Sequence, residues 1–242
     1  MAKQTHASDK YHQFCPISTA AEVLANRWTF LVVRELLCGS TRFNELRHGV
    51  PLMSQSLLST RLDELEAAHI IKIDGDGTAR GKRYRLTAAG EALRPIVEMM
   101  GLWAQDWLRR DIKTDELDSG MLMWDVRRTV DSFALDEEDL VTIYFEFSHV
   151  GRGARRYWIL NQNGDADLCV KDPGHEIDLY VYGTLRTVTE IWMGERDLKK
   201  AIADGKLRLE GRKDLIKKFS NWFVLNAFAN DETKKRFSLM HS

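Results

Sequence analysis

Proline and cysteine are both scarce in this 242-residue chain, with 4 and 3 copies. So few prolines, in a composition 44% hydrophobic and 29% charged, fit a globular chain rather than a disordered one. Cys15, Cys38 and Cys169 are odd in number and widely spaced, which excludes a disulfide framework. None stands in a CxxC or CxxH arrangement, and the 7 histidines form no pair at i,i+3 or i,i+4, so no metal is expected. No stretch approaches the roughly 18 apolar residues that span a bilayer. The opening MAKQTHASDKYHQF has no apolar signal region, so a cytoplasmic location without a membrane partner is expected. GxSxG, HExxH, GxGxxG and P-loop spacings are missing as well. With Asp172 to Asp178 reading as a surface turn, neither an enzyme nor a cofactor is expected.

The length suggests two domains, since one ordinarily holds roughly 100 to 150 residues. Net charge is -1, which alone argues against a nucleic-acid partner. The charge is unevenly spread, however. Residues 1–113 carry 16 Lys and Arg against 13 Asp and Glu, and residues 114–242 carry 19 against 23. A mildly basic front half and an acidic back half imply a division of labour at that boundary.

The front half reads as a winged helix-turn-helix. Two helical patterns meet near Asn26, the second ending at Gly39, and Thr41 to Leu46 forms a short helix with Phe43 and Leu46 turned inward. After a turn at Gly49-Val50-Pro51, Ser54 is a good N-cap for a helix whose Leu58, Leu62 and Leu65 form one apolar stripe. The opposite face holds Gln55, Ser56, Ser59, Thr60 and Arg61 with Asp63, and its small polar donors and arginine suit a recognition helix reaching base edges in a major groove. Strands at Ile70–Ile73 and Tyr84–Leu86 bracket a glycine-rich tip, and Arg80, Lys82 and Arg83 make it a basic wing for phosphate or minor groove. A long helix from Ala88 to Arg110, bent at Pro95, carries Leu93, Val97, Met100, Trp103 and Trp107. So much apolar surface calls for a second subunit.

The runs Asn26-Arg27-Trp28-Thr29, Arg34-Glu35-Leu36-Leu37-Cys38-Gly39, Arg42-Phe43-Asn44-Glu45-Leu46, Ser54-Gln55-Ser56-Leu57-Leu58 and Tyr84-Arg85-Leu86-Thr87 occur in one order. Residues 13 to 110 thereby closely resemble HxlR-type winged-helix regulators. The resemblance implies a homodimer on double-stranded DNA with an inverted-repeat operator, base contacts from Ser54, Gln55 and Ser56, and backbone contacts from Arg42 and the wing. It also makes Cys15, beside Pro16 at a helix start, a candidate redox or electrophile sensor. Cys38 and Cys169, among apolar residues, read as structural.

The back half reads as an α+β domain with a mainly antiparallel sheet and helices on one face. Val141, Ile143, Phe145 and Phe147 alternate along a strand, and Asn163-Gly164 marks a hairpin between strands at Arg156–Leu160 and Ala166–Val170. A strand at Ile177–Val181, helices around Leu185–Trp192 and Leu198–Ile202, a strand at Lys206–Glu210 and a closing helix from Arg212 to Ala229 follow. Asp178-Leu179-Tyr180-Val181, Trp192-Met193-Gly194 and above all Gly205-Lys206-Leu207-Arg208-Leu209-Glu210-Gly211 resemble the second half of a sterol-carrier-protein domain. That resemblance implies an apolar tunnel between sheet and helices. Phe145, Phe147, Trp158, Trp192, Phe219 and Phe223 are then candidate contacts for a lipophilic small molecule, although core packing explains most of them equally well. The sequence thus points to a DNA-binding regulator controlled by a lipophilic effector. The alternative is a lipid or sterol carrier whose winged domain serves only dimerisation or protein contact.

Overall fold

A proline opens the first helix, where its missing N–H is not needed: α1 (Pro16–Leu24) begins directly after Cys15. The computed structural model describes residues 10–75, 81–108, 111–130, 135 and 140–229. Two compact units divide the chain, 1–100 and 101–242, the boundary falling inside a helix.

In the first unit, α2 (Thr29–Leu37), α3 (Phe43–Gly49) and α4 (Gln55–Ala67) enclose one apolar core. Val32, Val33, Leu46, Leu58, Leu62 and Leu65 are each at most 1% exposed, so the stripe expected on α4 faces inward. Gly39, at φ +91, ends α2 in a conformation that a side chain would strain. β1 (Ile71–Asp74) and β2 (Arg83–Leu86) pair antiparallel, with Asp74 opposite Arg83. The Tyr84 N–H also donates to the Thr41 carbonyl at 2.7 Å, tying this hairpin to the start of α3.

One carboxylate holds α2 against α3. Glu35 is fully buried and accepts from Arg34 Nη2 at 2.7 Å and from Ser40 Oγ at 3.3 Å. The same Arg34 nitrogen donates to the Gly49 carbonyl at 2.9 Å. A Cβ on Gly49 would stand 1.8 Å from Glu35 Cδ, so the close approach of α3 requires glycine there.

The long helix expected from Ala88 to Arg110 is two helices. Thr87 caps a single turn, α5 (Ala88–Glu91), and α6 (Arg94–Trp107) starts afresh with Pro95 in its first turn. The break precedes the proline, so its missing donor falls where a helix has no intrahelical acceptor to satisfy, and no mid-helix kink is needed. Arg109 and Arg110 lie outside the described residues.

In the second unit a single 3-10 turn (Thr114–Glu116) and α7 (Ser119–Thr129), capped by Asp118, precede a five-stranded sheet. Its strands are β3 (Val141–Ser148), β4 (Arg156–Gln162), β5 (Asp165–Cys169), β6 (Leu179–Thr184) and β7 (Leu207–Gly211), in the order β5-β4-β3-β6-β7. Three of the pairings are antiparallel, and β3 runs parallel to β6. Helices α8 (Leu185–Trp192), α9 (Leu198–Ala203), α10 (Lys213–Lys217) and α11 (Phe219–Trp222) complete the described elements. Where one closing helix was expected to run to Ala229, helical structure stops at Trp222. Asn226 supplies the reason: its amide nitrogen donates to the Trp192 carbonyl at 2.9 Å, and its Oδ1 accepts from the N–H groups of Phe228 and Ala229. A side chain that takes up backbone groups locally offers the chain an alternative to the helix.

Side-chain alternation sorts the sheet into two chemically different faces. Val141, Ile143, Phe145, Phe147, Tyr157, Ile159, Leu179 and Val181 face the helices and form the main core with Leu122, Met123, Val188, Leu215, Phe219 and Trp222. The other face carries Tyr144 opposite Trp158 and Tyr180, and Glu146 opposite Arg156 and Tyr182. Tyr144 O–H donates to Glu146 Oε2 at 2.6 Å. Burial and this bond to a carboxylate push the Tyr144 phenol up to about 12, and the Tyr144 hydrogen bond, aided by Arg155 and Arg156, holds Glu146 below the usual range.

Two outcomes are expected. In Gly49→Ala, the gain of about 1 kcal/mol in helix propensity is outweighed by overpacking and disturbance of a buried pair, each costing more. Urea unfolding should show a net loss of roughly 2 kcal/mol or more; an unchanged midpoint would remove the Glu35 contact from its structural role. A phenol held neutral in the fold stabilises it below its ordinary value of 10.0, and that contribution disappears as pH rises from there through about 12. Tyr144→Phe should therefore flatten the fall of stability across that window.

Candidate nucleic-acid interface

A helix can read DNA only if its polar face is open and its first turn is held firmly. Ser54 Oγ accepts from the Leu57 N–H at 3.3 Å and lies 3.2 Å from Ser56 Oγ, so its side chain serves as the cap of α4. Gln55, Ser56, Ser59 and Thr60 are exposed on the side away from Leu58, Leu62 and Leu65. The first turn has no acidic residue, which leaves the positive end of the helix dipole uncompensated and favourable to phosphate.

Arg61 behaves differently from its neighbours. Its Nε donates to the Arg27 carbonyl at 3.3 Å and its guanidinium pairs with Glu64, with only 16% of the side chain exposed. Arg27 precedes Trp28, which has a left-handed φ of 79, and the Arg27 guanidinium sits 5.2 Å from the Trp28 ring centroid. The structure therefore places Arg61 where it braces the connection between α1 and α2. Sequence spacing alone put it on the outward face, because the carbonyl it reaches is 34 residues away.

Arg42 is exposed at the start of α3, where the Glu45 carboxylate accepts from the backbone N–H groups of Thr41 at 2.7 Å and Arg42 at 2.9 Å. Lys82 is exposed and Arg83 half-buried at the base of the hairpin, and Arg80 lies outside the described residues. Arg85 and Lys72 are both drawn to Asp74, at 3.3 and 3.5 Å. Asn44 and Arg47, exposed on α3, were not singled out from sequence. The inward pair Phe43 and Leu46 was the signal that would have found them, since it turns positions 44 and 47 outward.

Of the three thiols, Cys15 is half-buried and Cys38 exposed. The exposure corrects the structural reading of Cys38, because it follows the last turn of α2 where the chain turns away from the core. Cys169 lies on β5 opposite Trp158, and its thiol is pushed up by burial and by Asp167. Among the described residues no group of three His, Cys, Asp or Glu side chains could hold a metal ion, and no helix is long and apolar enough to cross a membrane.

Of the six aromatic residues expected to share a lipophilic site, five gather in or against one core and Trp158 does not. Phe145, Phe147, Phe219 and Phe223 are at most 3% exposed within the core, with Phe219 stacked on Phe223 at 5.2 Å. Trp192 is half-buried at the margin of that core, its indole N–H donating to Thr129 Oγ1 at 3.4 Å. Trp158 is on the opposite sheet face, because it pairs with Tyr144 and not with Phe145.

A family model described as HxlR-like helix-turn-helix matches residues 23–112. The uncharacterized HTH-type transcriptional regulator YvaP of Bacillus subtilis (strain 168) is 39% identical over 98 residues, which are 40% of this chain and 91% of that protein. The chain belongs to the HxlR-like family. The HTH-type transcriptional regulator YodB of the same organism is 34% identical over 95 residues, covering 38% of this chain and 85% of that one. The crystal structure of quinone-bound YodB from B. subtilis matches at 33% identity and a TM-score of 0.34, over 38% of this chain and 99% of that one. Membership supports DNA-binding regulation as the role of the HxlR-like domain, and its homologues are transcriptional regulators.

Within the HxlR-like domain the cap and the open face separate by experiment. Ser54→Ala should cost about 1 kcal/mol in chemical unfolding, while Gln55→Ala, on the exposed face, should stay within about 0.5 kcal/mol of the parent. A destabilising Gln55→Ala would mean that this face is engaged in packing.

Proposed function

We propose that the protein is a homodimeric, cytoplasmic one-component regulator. In this reading α4 enters the major groove, with Gln55, Ser56 and Ser59 facing base edges and Ser54 fixing the helix end. Arg42, Lys82, Arg83 and Arg80 meet phosphate from α3 and the wing-like hairpin, and Arg61 acts by bracing the reading helix. The observation that carries the proposal is the exposed polar face of α4 on a buried leucine stripe, in a chain of the HxlR-like family.

Dimerisation is supported by α6. Ile96, Met100, Trp103 and Trp107 recur at spacings of four, three and four residues, and all are at least 45% exposed. Such a stripe on a water-soluble helix is costly unless covered, and we assign its cover to the same helix of a second copy. Two-fold symmetry then spaces the reading helices about 34 Å apart, on successive major grooves of an inverted-repeat operator. The residues from 114 onward are the proposed sensor of a lipophilic effector, supported by the sterol-carrier-like run from Gly205 to Gly211. Effector and operator are then coupled reciprocally: a ligand that weakens DNA binding itself binds less tightly to the DNA-bound form.

Anisotropy titrations on duplexes selected from a random library, run across a range of salt, test the DNA reading. Replacing Arg80, Lys82 and Arg83 by alanine should lower the slope of log affinity against log salt by about 0.9 for each phosphate no longer neutralised. Gln55→Ala should instead relax one base preference, at about 1–3 kcal/mol of discrimination. No duplex binding at low salt would leave a carrier module as the surviving alternative. Light scattering on Trp103→Glu with Trp107→Glu should report a monomer; an intact dimer would move the interface elsewhere.

A further inference from the structure

Glycine weakens the interior of a helix, yet α6 keeps one at Gly101, directly after Met100 of the exposed stripe. A Cβ at that position would lie 2.3, 2.4 and 2.8 Å from Cε1, Cζ and Cδ1 of Phe228. Real Cβ atoms do not come so close, so the Phe228 ring is seated directly on the helix where the side chain is missing. Gly101 is the first residue of the second unit, and α6 runs unbroken across the boundary between the two units. The contact therefore lies within the C-terminal unit, on a helix that both units share.

Phe228 is itself held by the end of α8. Asn226 is buried, and both its backbone N–H and its side-chain amide donate to the Trp192 carbonyl, at 3.0 and 2.9 Å. Its Oδ1 accepts from the N–H groups of Phe228 at 2.9 Å and Ala229 at 3.2 Å. Residues 226–229 thus form a short strap with the last turn of α8 at one end and the backbone of α6 against its phenyl ring. The first turn of α8 is fastened as well: Arg186 Nη1 donates to the Ile112 carbonyl at 2.7 Å and Nη2 to Thr114 Oγ1 at 3.3 Å, a few residues beyond α6. Between these ties Leu185, Val188 and Ile191 of α8 are buried in the main core, and Trp192 packs at its margin. One helix consequently has its apolar face in the core and both of its ends tied to segments that adjoin or touch α6.

We propose that α8 and the strap at 226–229 are the device by which the C-terminal unit positions the dimer helix, with Asn226, Phe228 and Gly101 as its positioning residues. The inference rests on the reading of α6 as the interface between two copies and of the C-terminal unit as a sensor, and it supplies the link between them. Trp192 is a candidate effector contact through its side chain, while its carbonyl holds Asn226; a shift of that carbonyl moves Phe228, and Phe228 moves α6 at Gly101. A helix is stiff over one turn, so a displacement at Gly101 displaces Met100 and Trp103 of the stripe. Packed contacts of this kind settle into discrete arrangements rather than yielding gradually, which is what a switch requires.

Sedimentation of the full-length protein over a concentration series measures the consequence for the dimer. Phe228→Ala and Gly101→Ala should each weaken dimerisation at least about fivefold. Combined, they should weaken it no more than either alone, because a single contact is lost only once. Alanine at position 101 favours the helix intrinsically, so a weaker dimer in that variant does not come from a melted α6. Asn226→Ala should weaken the dimer to a similar extent and speed hydrogen exchange selectively at the amides of residues 101–107, whereas Leu215→Ala, a core change in the same unit, should raise exchange across the unit without that selectivity. Additive effects of the Gly101 and Phe228 changes, or exchange at 101–107 unaltered by Asn226→Ala, overturns the device. If Trp103→Glu with Trp107→Glu still dissociates the dimer in that case, the α6 interface stands without it; if that pair leaves the dimer intact, interface and device fall together.

Discussion

Among the described residues, Glu35 is the one charged side chain without solvent exposure, and the geometry of the N-terminal unit turns on it. A buried carboxylate persists only when paired and hydrogen-bonded, and leaving it without its partner costs about 3–5 kcal/mol. Arg34 meets Glu35 and the Gly49 carbonyl with one nitrogen, so the end of α2 and the end of α3 are held in a single arrangement. The turn from Val50 to Met53 leaves α3 from that fixed point, and Ser54 then caps α4. That contact fixes the point from which the chain enters α4, and the buried leucine stripe of α4 turns Gln55, Ser56 and Ser59 outward. Arg61 adds a second brace by reaching the Arg27 carbonyl.

The C-terminal unit is organised by a different constraint, the two-residue period of its strands. Every second residue of β3 and β4 enters a core sealed by α7, α8, α10 and α11, and the alternate residues build a second, aromatic and partly charged face. Phe145 and Phe147 have other core side chains as neighbours, whereas Tyr144 and Trp158 pack on one another and on the sheet's tyrosines. The buried Tyr144 phenol, donating to Glu146, ties two residues of that face together.

Much of this was legible in the residues. The leucine spacing on α4, the cap at Ser54, the stop at Gly39 and the hairpin at Asn163-Gly164 are local signals, and local signals survive into the fold because they concern neighbours within a turn or two. Where expectation and structure part, the cause is a partner distant in sequence or a choice between two equivalent geometries. The helix after Thr87 breaks before Pro95 instead of bending at it; the closing segment leaves the helix because Asn226 finds the Trp192 carbonyl. Aromatic character groups Trp158 with Phe145, while strand register places it on the other face.

Hydrophobic periodicity and turn chemistry in the chain were thus enough to specify which segments become helices and strands, and which stripe of each is apolar. They could not say that Arg61 is a brace, that Gly49 is required by a carboxylate 14 positions earlier, or that the sheet's tyrosines and Trp158 share one face of the sheet. Those facts depend on pairing between strands and on contacts across dozens of residues. Such contacts come into being only when the whole unit closes around its core.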